Sequence, residues 1–268
     1  MLAGTRRVPR PRRTPAIVAD DSKRKTMHQL MREVGALGRQ SMLLGRNLRV
    51  RGARVPVGEP VDVVVLVHGF LATAGVFGPL EERLRRAGVE HMVSFTYHPF
   101  RSIVSLAEEL RELCEALPAG TRLHLVGHSL GGVVARFYVE GLGGIERVTQ
   151  TISLASPFRG VPAARVAGRL ERWLPEPVSL RLLEQIGAMQ ADGPVLRLAC
   201  RRSKEVPHTS IVAADDMLVP PANAALPGDD VIVFDNVGHN GLLFDRRAID
   251  AVCALVMGAG AGAGRAAE

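Results

Sequence analysis

At 268 residues, 47% of them hydrophobic, the chain can bury one sizeable core, so one domain carrying an insertion is the expected organisation. No stretch of eighteen uninterrupted apolar residues occurs, which argues against a membrane-spanning helix, and three cysteines are too few for a disulfide scaffold. The net charge of +7 is uneven: residues 1–58 hold 14 Lys and Arg against 3 Asp and Glu, a balance of +11, leaving 20 basic and 24 acidic residues, or −4, for the remainder.

Residues 1–25 are rich in Arg, Pro and Lys and lack an apolar core of secretory-signal length, which makes the cytoplasm the expected location. Between Thr26 and Arg49 apolar residues recur at Met27, Leu30, Met31, Val34 and Leu37, then at Met42, Leu43 and Leu44, a roughly helical spacing with basic residues on the other face. Such a helix suits an anionic membrane surface, giving peripheral membrane contact, or packing against the domain; Gly35, Gly38 and Gly45 weaken it as an independent element and favour packing. No aromatic residues interleave with the basic ones, which argues against nucleic acid as a partner. Leu48–Val57 is a candidate extra edge strand.

From Val61 strand and helix periods alternate. The pattern predicts strand Val61–Val67, helix Phe77–Ala87, strand Met92–Tyr97, helix Ile103–Leu117 and strand Arg122–Val126, followed by a helix from about Val133. Strand Val148–Leu154, strand Ser210–Ala214, strand Val231–Phe234 and helix Arg246–Val256 complete it. Repeated βα units imply a mostly parallel sheet of about six strands with helices on both faces. Residues 156–206 are too long for a simple connection and read as a small helical cap, with helices Ala163–Trp173, Ser179–Met189 and Pro194–Cys200. The resulting division is a basic arm, 1–58; a catalytic domain, 59–257, with the cap inserted; and a Gly/Ala tail, 258–268, of disordered composition.

The chemistry concentrates at the ends of strands. Strand Arg122–Val126 runs into Gly127-His128-Ser129-Leu130-Gly131, a Gly-x-Ser-x-Gly turn opening a helix, which lifts Ser129 above the sheet at a helix N-terminus. The first strand ends in His68-Gly69-Phe70-Leu71, where the backbone N–H of Phe70 can join that of Leu130 in stabilising an oxyanion. Downstream lie Asp215-Asp216-Met217-Leu218-Val219-Pro220 and Val237-Gly238-His239, so nucleophile, acid and histidine come in the order Ser, Asp, His. A serine hydroxyl needs a base, and the base an orienting carboxylate. His239, in the last loop before the final helix, is the leading base, with His68, His98, His128 and His208 as competitors; Asp215 and Asp235 compete with Asp216 as the acid. No His, Cys or Asp cluster has metal-ligand spacing, and no cofactor is implied. Cys114, Cys200 and Cys253 read as free structural thiols.

In these four motifs, over about Val61–Val256, the chain resembles the alpha/beta-hydrolase superfamily, and within it bacterial lipases and esterases. The resemblance implies that fold and a serine hydrolase that cleaves acyl or lipid esters through an acyl-enzyme. Its Asp-x-x-Val-Pro motif falls on Asp216. A thioesterase or acyltransferase uses the same triad, and a non-catalytic scaffold is the reading from another class. Serine at the nucleophile position argues against dehalogenase and epoxide-hydrolase chemistry, which use aspartate. Leu71, Phe158, Trp173 and Leu183 are candidates for an acyl pocket; Phe158 and the cap residues serve equally well as core.

If the arm docks on anionic lipid, each basic residue near the surface adds about 1 kcal/mol, an attraction that salt screens. Deleting residues 1–25 is then expected to weaken sedimentation with anionic vesicles at low salt and to leave binding to neutral vesicles unchanged; equal recovery of both forms under all conditions makes the arm a solvated extension.

Overall fold

The computed structural model describes residues 61–98, 101–162, 187, 190, 193–201, 203–226 and 228–263. The basic arm, the Leu48–Val57 segment and nearly all of the first two cap helices lie outside the described residues. The elements, in chain order, are β1 (Asp62–Val67), α1 (Gly78–Arg86), β2 (Met92–Phe95), α2 (Ile103–Glu115), β3 (Arg122–His128), α3 (Leu130–Gly141), β4 (Val148–Leu154), α4 (Pro194–Ala199), β5 (His208–Ala213), α5 (Pro221–Ala224), β6 (Asp230–Phe234) and α6 (Arg246–Ala263).

All neighbouring strands pair in parallel, in the order β2-β1-β3-β4-β5-β6. The alternation of side chains along a strand divides the core in two. Val63, Val65, Val67, Leu123 and Leu125 face one side, packed with α2, α3 and α4. Val64, Leu66, Val126, Ile152, Leu154 and Ile211 face the other, packed with α1 and α6. Because both faces are covered, β1 is an almost continuous apolar run, DVVVLV. The residues of α3 from Leu130 to Val139 are all buried, since that helix lies between the sheet, α2 and α4.

The chain passes from β1 outward to β2 and then returns to β3 on the other side of β1. Such a reversal marks the carboxyl ends of β1 and β3 as the place where open α/β sheets bind ligands in a crevice. The histidine-glycine turn follows β1 and the serine turn follows β3.

Three elements differ from expectation. Helix α4 matches the third predicted cap helix in position, yet it packs into the core: Leu196 and Ala199 are buried in the α2–α3 cluster, and Arg136 on α3 donates from Nε to the Ala199 carbonyl at 3.3 Å and from its terminal nitrogen to the Arg201 carbonyl. Its apolar face thus closes the main core and does not form a separate cap core. Helix α6 continues past the expected end at Val256 to Ala263, so residues 258–263 are helical and not disordered. A helix already anchored by buried Ile249, Val252 and Val256 propagates through alternating Ala and Gly at small cost per residue. The four-residue α5, with prolines at its start, carries too short a pattern to be read as a helix.

Several histidines are buried and neutral. Burial pulls His68 down to about 4 and His128 to about 3, and holds His208 well below its ordinary value. Near pH 7 these rings match the unfolded chain in protonation. As pH falls below about 6.5, the unfolded chain takes up protons that the folded chain cannot, each such histidine costing up to about 1.4 kcal/mol per pH unit until its folded pKa is reached. The stability they leave intact above pH 6.5 is therefore lost from about 6.5 down to about 4 for His68 and about 3 for His128. Thermal unfolding followed across that range is expected to show a steep fall in Tm above the pH at which carboxylates titrate; a flat Tm down to pH 4.5 contradicts it.

Candidate active site

Ser129 stands between β3 and α3 at φ 52°, ψ −122°, a strained conformation for a residue with a side chain. Its N–H donates to the Leu154 carbonyl at 2.8 Å, and its own carbonyl accepts from Gly132 N–H at 3.1 Å, which holds the turn from both sides. Its hydroxyl oxygen lies 3.0 Å from Nε2 of His239.

His239 follows β6 and is 4% exposed. Its Nδ1 lies 2.7 Å from Oδ2 of Asp216, and the Asp216 carboxylate is almost wholly buried. The other carboxylate oxygen, Oδ1, accepts the backbone N–H groups of Leu218 and Val219, each at 2.8 Å. A carboxylate with no proton to give must accept at Nδ1, so the ring carries its hydrogen there and presents the Nε2 lone pair to Ser129. The structure thus brings Ser129, His239 and Asp216 into one hydrogen-bonded chain, formed from loops after β3, β6 and β5.

The competing residues are elsewhere. Asp215 donates its N–H to the Val237 carbonyl at 3.2 Å, and Asp235 sits in an exposed turn where its carbonyl accepts from Arg247 at 2.9 Å. His208 bonds Thr151 at 2.7 Å, Ser153 at 3.1 Å and Ser210 at 3.2 Å, a buried polar cluster across β4 and β5. His128 points its Nε2 at the His239 carbonyl, 3.3 Å away, and His68 reaches only its neighbour's carbonyl at Gly69, 2.9 Å away. His98 is exposed at the end of the β2 loop. Burial raises the Cys114 thiol to about 12 and the Cys200 thiol to about 11, so neither is a thiolate near neutral pH.

Phe70 is partly buried beside the site, and Leu130 opens α3 with its side chain in the core. Leu71 has a positive φ of 52° and is 38% exposed in the turn after β1. Phe158 is 1% exposed, edge-on to the His208 ring at 5.2 Å, so among the described residues it is part of the core. Trp173 and Leu183 lie outside the described residues. Among the described residues no group of three or more His, Cys, Asp or Glu side chains can hold a metal ion, and no helix is long and apolar enough to cross a membrane.

The family model described as "Alpha/beta hydrolase family" matches residues 64–255. No curated protein sequence matches the chain. Among solved structures, a Bacillus licheniformis lipase in its mature form is similar with a TM-score of 0.56 at 16% identity, over 75% of this chain and 96% of the lipase. A metagenomic carboxyl esterase is similar with a TM-score of 0.51 at 19% identity, over 71% of this chain and 70% of the esterase. A pyrethroid hydrolase from Sphingobium faniae is similar with a TM-score of 0.53 at 16% identity, over 73% of this chain and 97% of the hydrolase.

The glycines of the serine turn are dictated by backbone contact. A Cβ on Gly131 would sit 2.0 Å from the Val67 carbonyl oxygen and 2.5 Å from that of His68; one on Gly127 would sit 2.4 Å from the Cα and N of Gly132. Neither neighbour is a flexible side chain, so the backbones must part. Gly131→Ala is expected to lower stability by about 3 kcal/mol or more in urea unfolding, in the range of severe core overpacking. Gly78→Ala, with open space around the added methyl, is the control and is expected to leave the midpoint nearly unchanged. Equal midpoints for the two variants contradict the close approach.

Proposed function

The chain belongs to the alpha/beta hydrolase family, and from that premise we propose that it is a serine hydrolase of carboxylic esters, of lipase or esterase type. One observation carries the reading: the relay from Asp216 through His239 to Ser129, with contacts of 2.7 and 3.0 Å. The lipase and the carboxyl esterase of like fold support an acyl ester as the substrate class.

In the proposed reaction the Ser129 oxygen attacks the ester carbonyl while Nε2 of His239 takes its proton. The carbonyl π pair moves to oxygen, and the resulting oxyanion is held by the N–H groups of Phe70 and Leu130, the latter at the positive end of α3. Asp216, its second oxygen fixed by two backbone N–H groups, keeps the imidazole oriented and stabilises the imidazolium. The tetrahedral adduct collapses, the C–O bond to the alcohol breaks, and His239 returns its proton to the leaving oxygen. Water then enters by the same route: its oxygen attacks the acyl carbonyl as His239 takes its proton, the tetrahedral adduct collapses with cleavage of the acyl–Ser129 bond, His239 returns the proton to the Ser129 oxygen, and the acid departs. Leu71 contacts the acyl portion from the turn after β1, with Trp173 and Leu183 as further acyl contacts and Phe158 supporting the site from the core. Neither metal nor cofactor takes part. The basic arm offers peripheral contact with anionic membrane.

Turnover of a p-nitrophenyl acyl ester tests this. Ser129→Ala, His239→Ala and Asp216→Ala are each expected to lower kcat by about 10⁴-fold or more, and pairs of them to cost little beyond the worst single change, because the three act as a unit. Asp215→Ala is expected to retain most of the activity. Near-normal hydrolysis by His239→Ala contradicts the assignment, and a thioester turned over far faster than the matched ester moves the substrate class to thioesters.

A further inference from the structure

The two donors assigned to the oxyanion differ in how they are held. The N–H of Leu130 is fixed by its place at the start of α3. That of Phe70 belongs to a loop, His68-Gly69-Phe70-Leu71, whose glycine alone would leave the peptide free to rotate. We propose that Tyr97 and His68 are positioning residues that set the peptide orientations of this loop and so preform the oxyanion hole, an inference that rests on the reading of Phe70 as a donor.

Tyr97 comes two residues after β2, which runs parallel to β1 with Phe95 opposite Val67. That register carries its side chain to the level of the loop. The Tyr97 hydroxyl donates to the His68 carbonyl at 2.5 Å, and the two rings stack at 4.1 Å with an angle of 16° between planes. The His68 ring then turns back on the next peptide: its Nδ1 lies 2.9 Å from the Gly69 carbonyl oxygen. A carbonyl only accepts, so Nδ1 carries the hydrogen. Burial keeps the ring neutral with that single N–H, and Nε2 has no hydrogen-bond partner among the described residues. The same Gly69 carbonyl accepts the N–H of Ala72 at 3.2 Å.

The consequence follows from peptide geometry. The chain has no cis peptide bond among the described residues, and in a planar trans unit the amide hydrogen lies opposite the carbonyl oxygen. With the Gly69 oxygen held by two donors on one side, the Phe70 N–H is directed to the other. Gly69 itself lies against the nucleophile, since a Cβ placed on it would be 3.1 Å from Cβ of Ser129. Rotation of the Gly69–Phe70 peptide breaks both bonds to the Gly69 oxygen, and rotation of the preceding peptide leaves the Tyr97 hydroxyl unpaired in an apolar interior. The lock therefore costs nothing at the moment of reaction.

The experiment uses the full-length enzyme and a Ser129-dependent p-nitrophenyl ester assay, together with the inhibition constant of an alkyl boronic acid, which forms a tetrahedral anionic adduct on a nucleophilic serine. Tyr97→Phe keeps the ring and its stacking and removes one hydrogen bond. It is expected to lower kcat roughly 10- to 100-fold, part of the loss seen when an oxyanion donor is deleted, with KM within about 2-fold and boronate affinity falling in step with kcat. His68→Asn, which can still offer an N–H to the Gly69 carbonyl, is expected to retain far more kcat than His68→Ala. Unchanged kcat and boronate affinity in Tyr97→Phe, or a rise in KM alone, overturns the inference. If circular dichroism shows Tyr97→Phe unfolded at the assay temperature, the His68 pair decides: equal losses overturn the inference, rescue by Asn supports it. Hydrolysis that survives Ser129→Ala overturns the underlying reading and this inference with it, whereas Ser129-dependent hydrolysis with an unaffected Tyr97→Phe overturns this inference alone.

Discussion

Two stretches of main chain touch with no side chain between them, and the rest of the site depends on that contact. The end of β1 lies so close to the serine turn that any Cβ on Gly131 would collide with the carbonyl oxygens of Val67 and His68. This close approach sets the loop after β1 and the start of α3 side by side, with Ser129 between them. It is available only because β1 and β3 are parallel neighbours in register, Val67 beside Gly127, at the point where the chain reverses its direction across the sheet. The strained φ of Ser129 is tolerated because its N–H and carbonyl are both bonded and α3 behind it is buried on every side.

Around this contact the protein keeps polar groups that a purely apolar core would exclude. Asp216 loses its water and gains two backbone N–H groups and an imidazole in exchange. Arg136, 1% exposed, pairs with Glu140 at 2.7 Å and ties the carbonyls of Ala199 and Arg201 to α3. Removing one member of such a buried pair leaves an uncompensated charge, so these contacts specify how α4 sits even where their net contribution to stability is small. Two buried histidines belong to the same pattern: His68 and His128 are held neutral by burial, and each sets a ring nitrogen against a backbone carbonyl, that of Gly69 and that of His239.

Much of this was legible in the sequence. The strand and helix periods placed β1 to β6 and the helices from α1 to α3 within a few residues, because strand and helix alternate regularly from Val61 onward. The four motifs sit at strand ends, and that placement pointed to Ser129 and His239, whose side chains the structure brings to 3.0 Å. Neighbouring aspartates defeated periodicity: what separates Asp216 from Asp215 is the pair of N–H groups from Leu218 and Val219 and the contact with His239, and none of these has a signature in composition. The role of Tyr97 was invisible for a related reason, since its partner is 29 residues away and is a carbonyl, which every residue has. The packing of α4 against α3 was missed because the prolines that bound the 156–206 segment marked an insertion without saying which of its pieces returns to the core. The helical Gly/Ala end of α6 was missed because composition weighs each residue locally, whereas a helix already anchored extends through poor formers.

The proposed function turns on the hydroxyl of Ser129 being a nucleophile made so by His239. Intact-protein and peptide mass spectrometry after treatment with an alkyl p-nitrophenyl phosphonate, which phosphonylates an activated serine and releases p-nitrophenolate, measures it directly. A single adduct is expected, located on Ser129, formed in step with p-nitrophenolate release and slowed by orders of magnitude in His239→Ala. An adduct on another residue, or labelling of Ser129 at the same rate without the His239 imidazole, contradicts it.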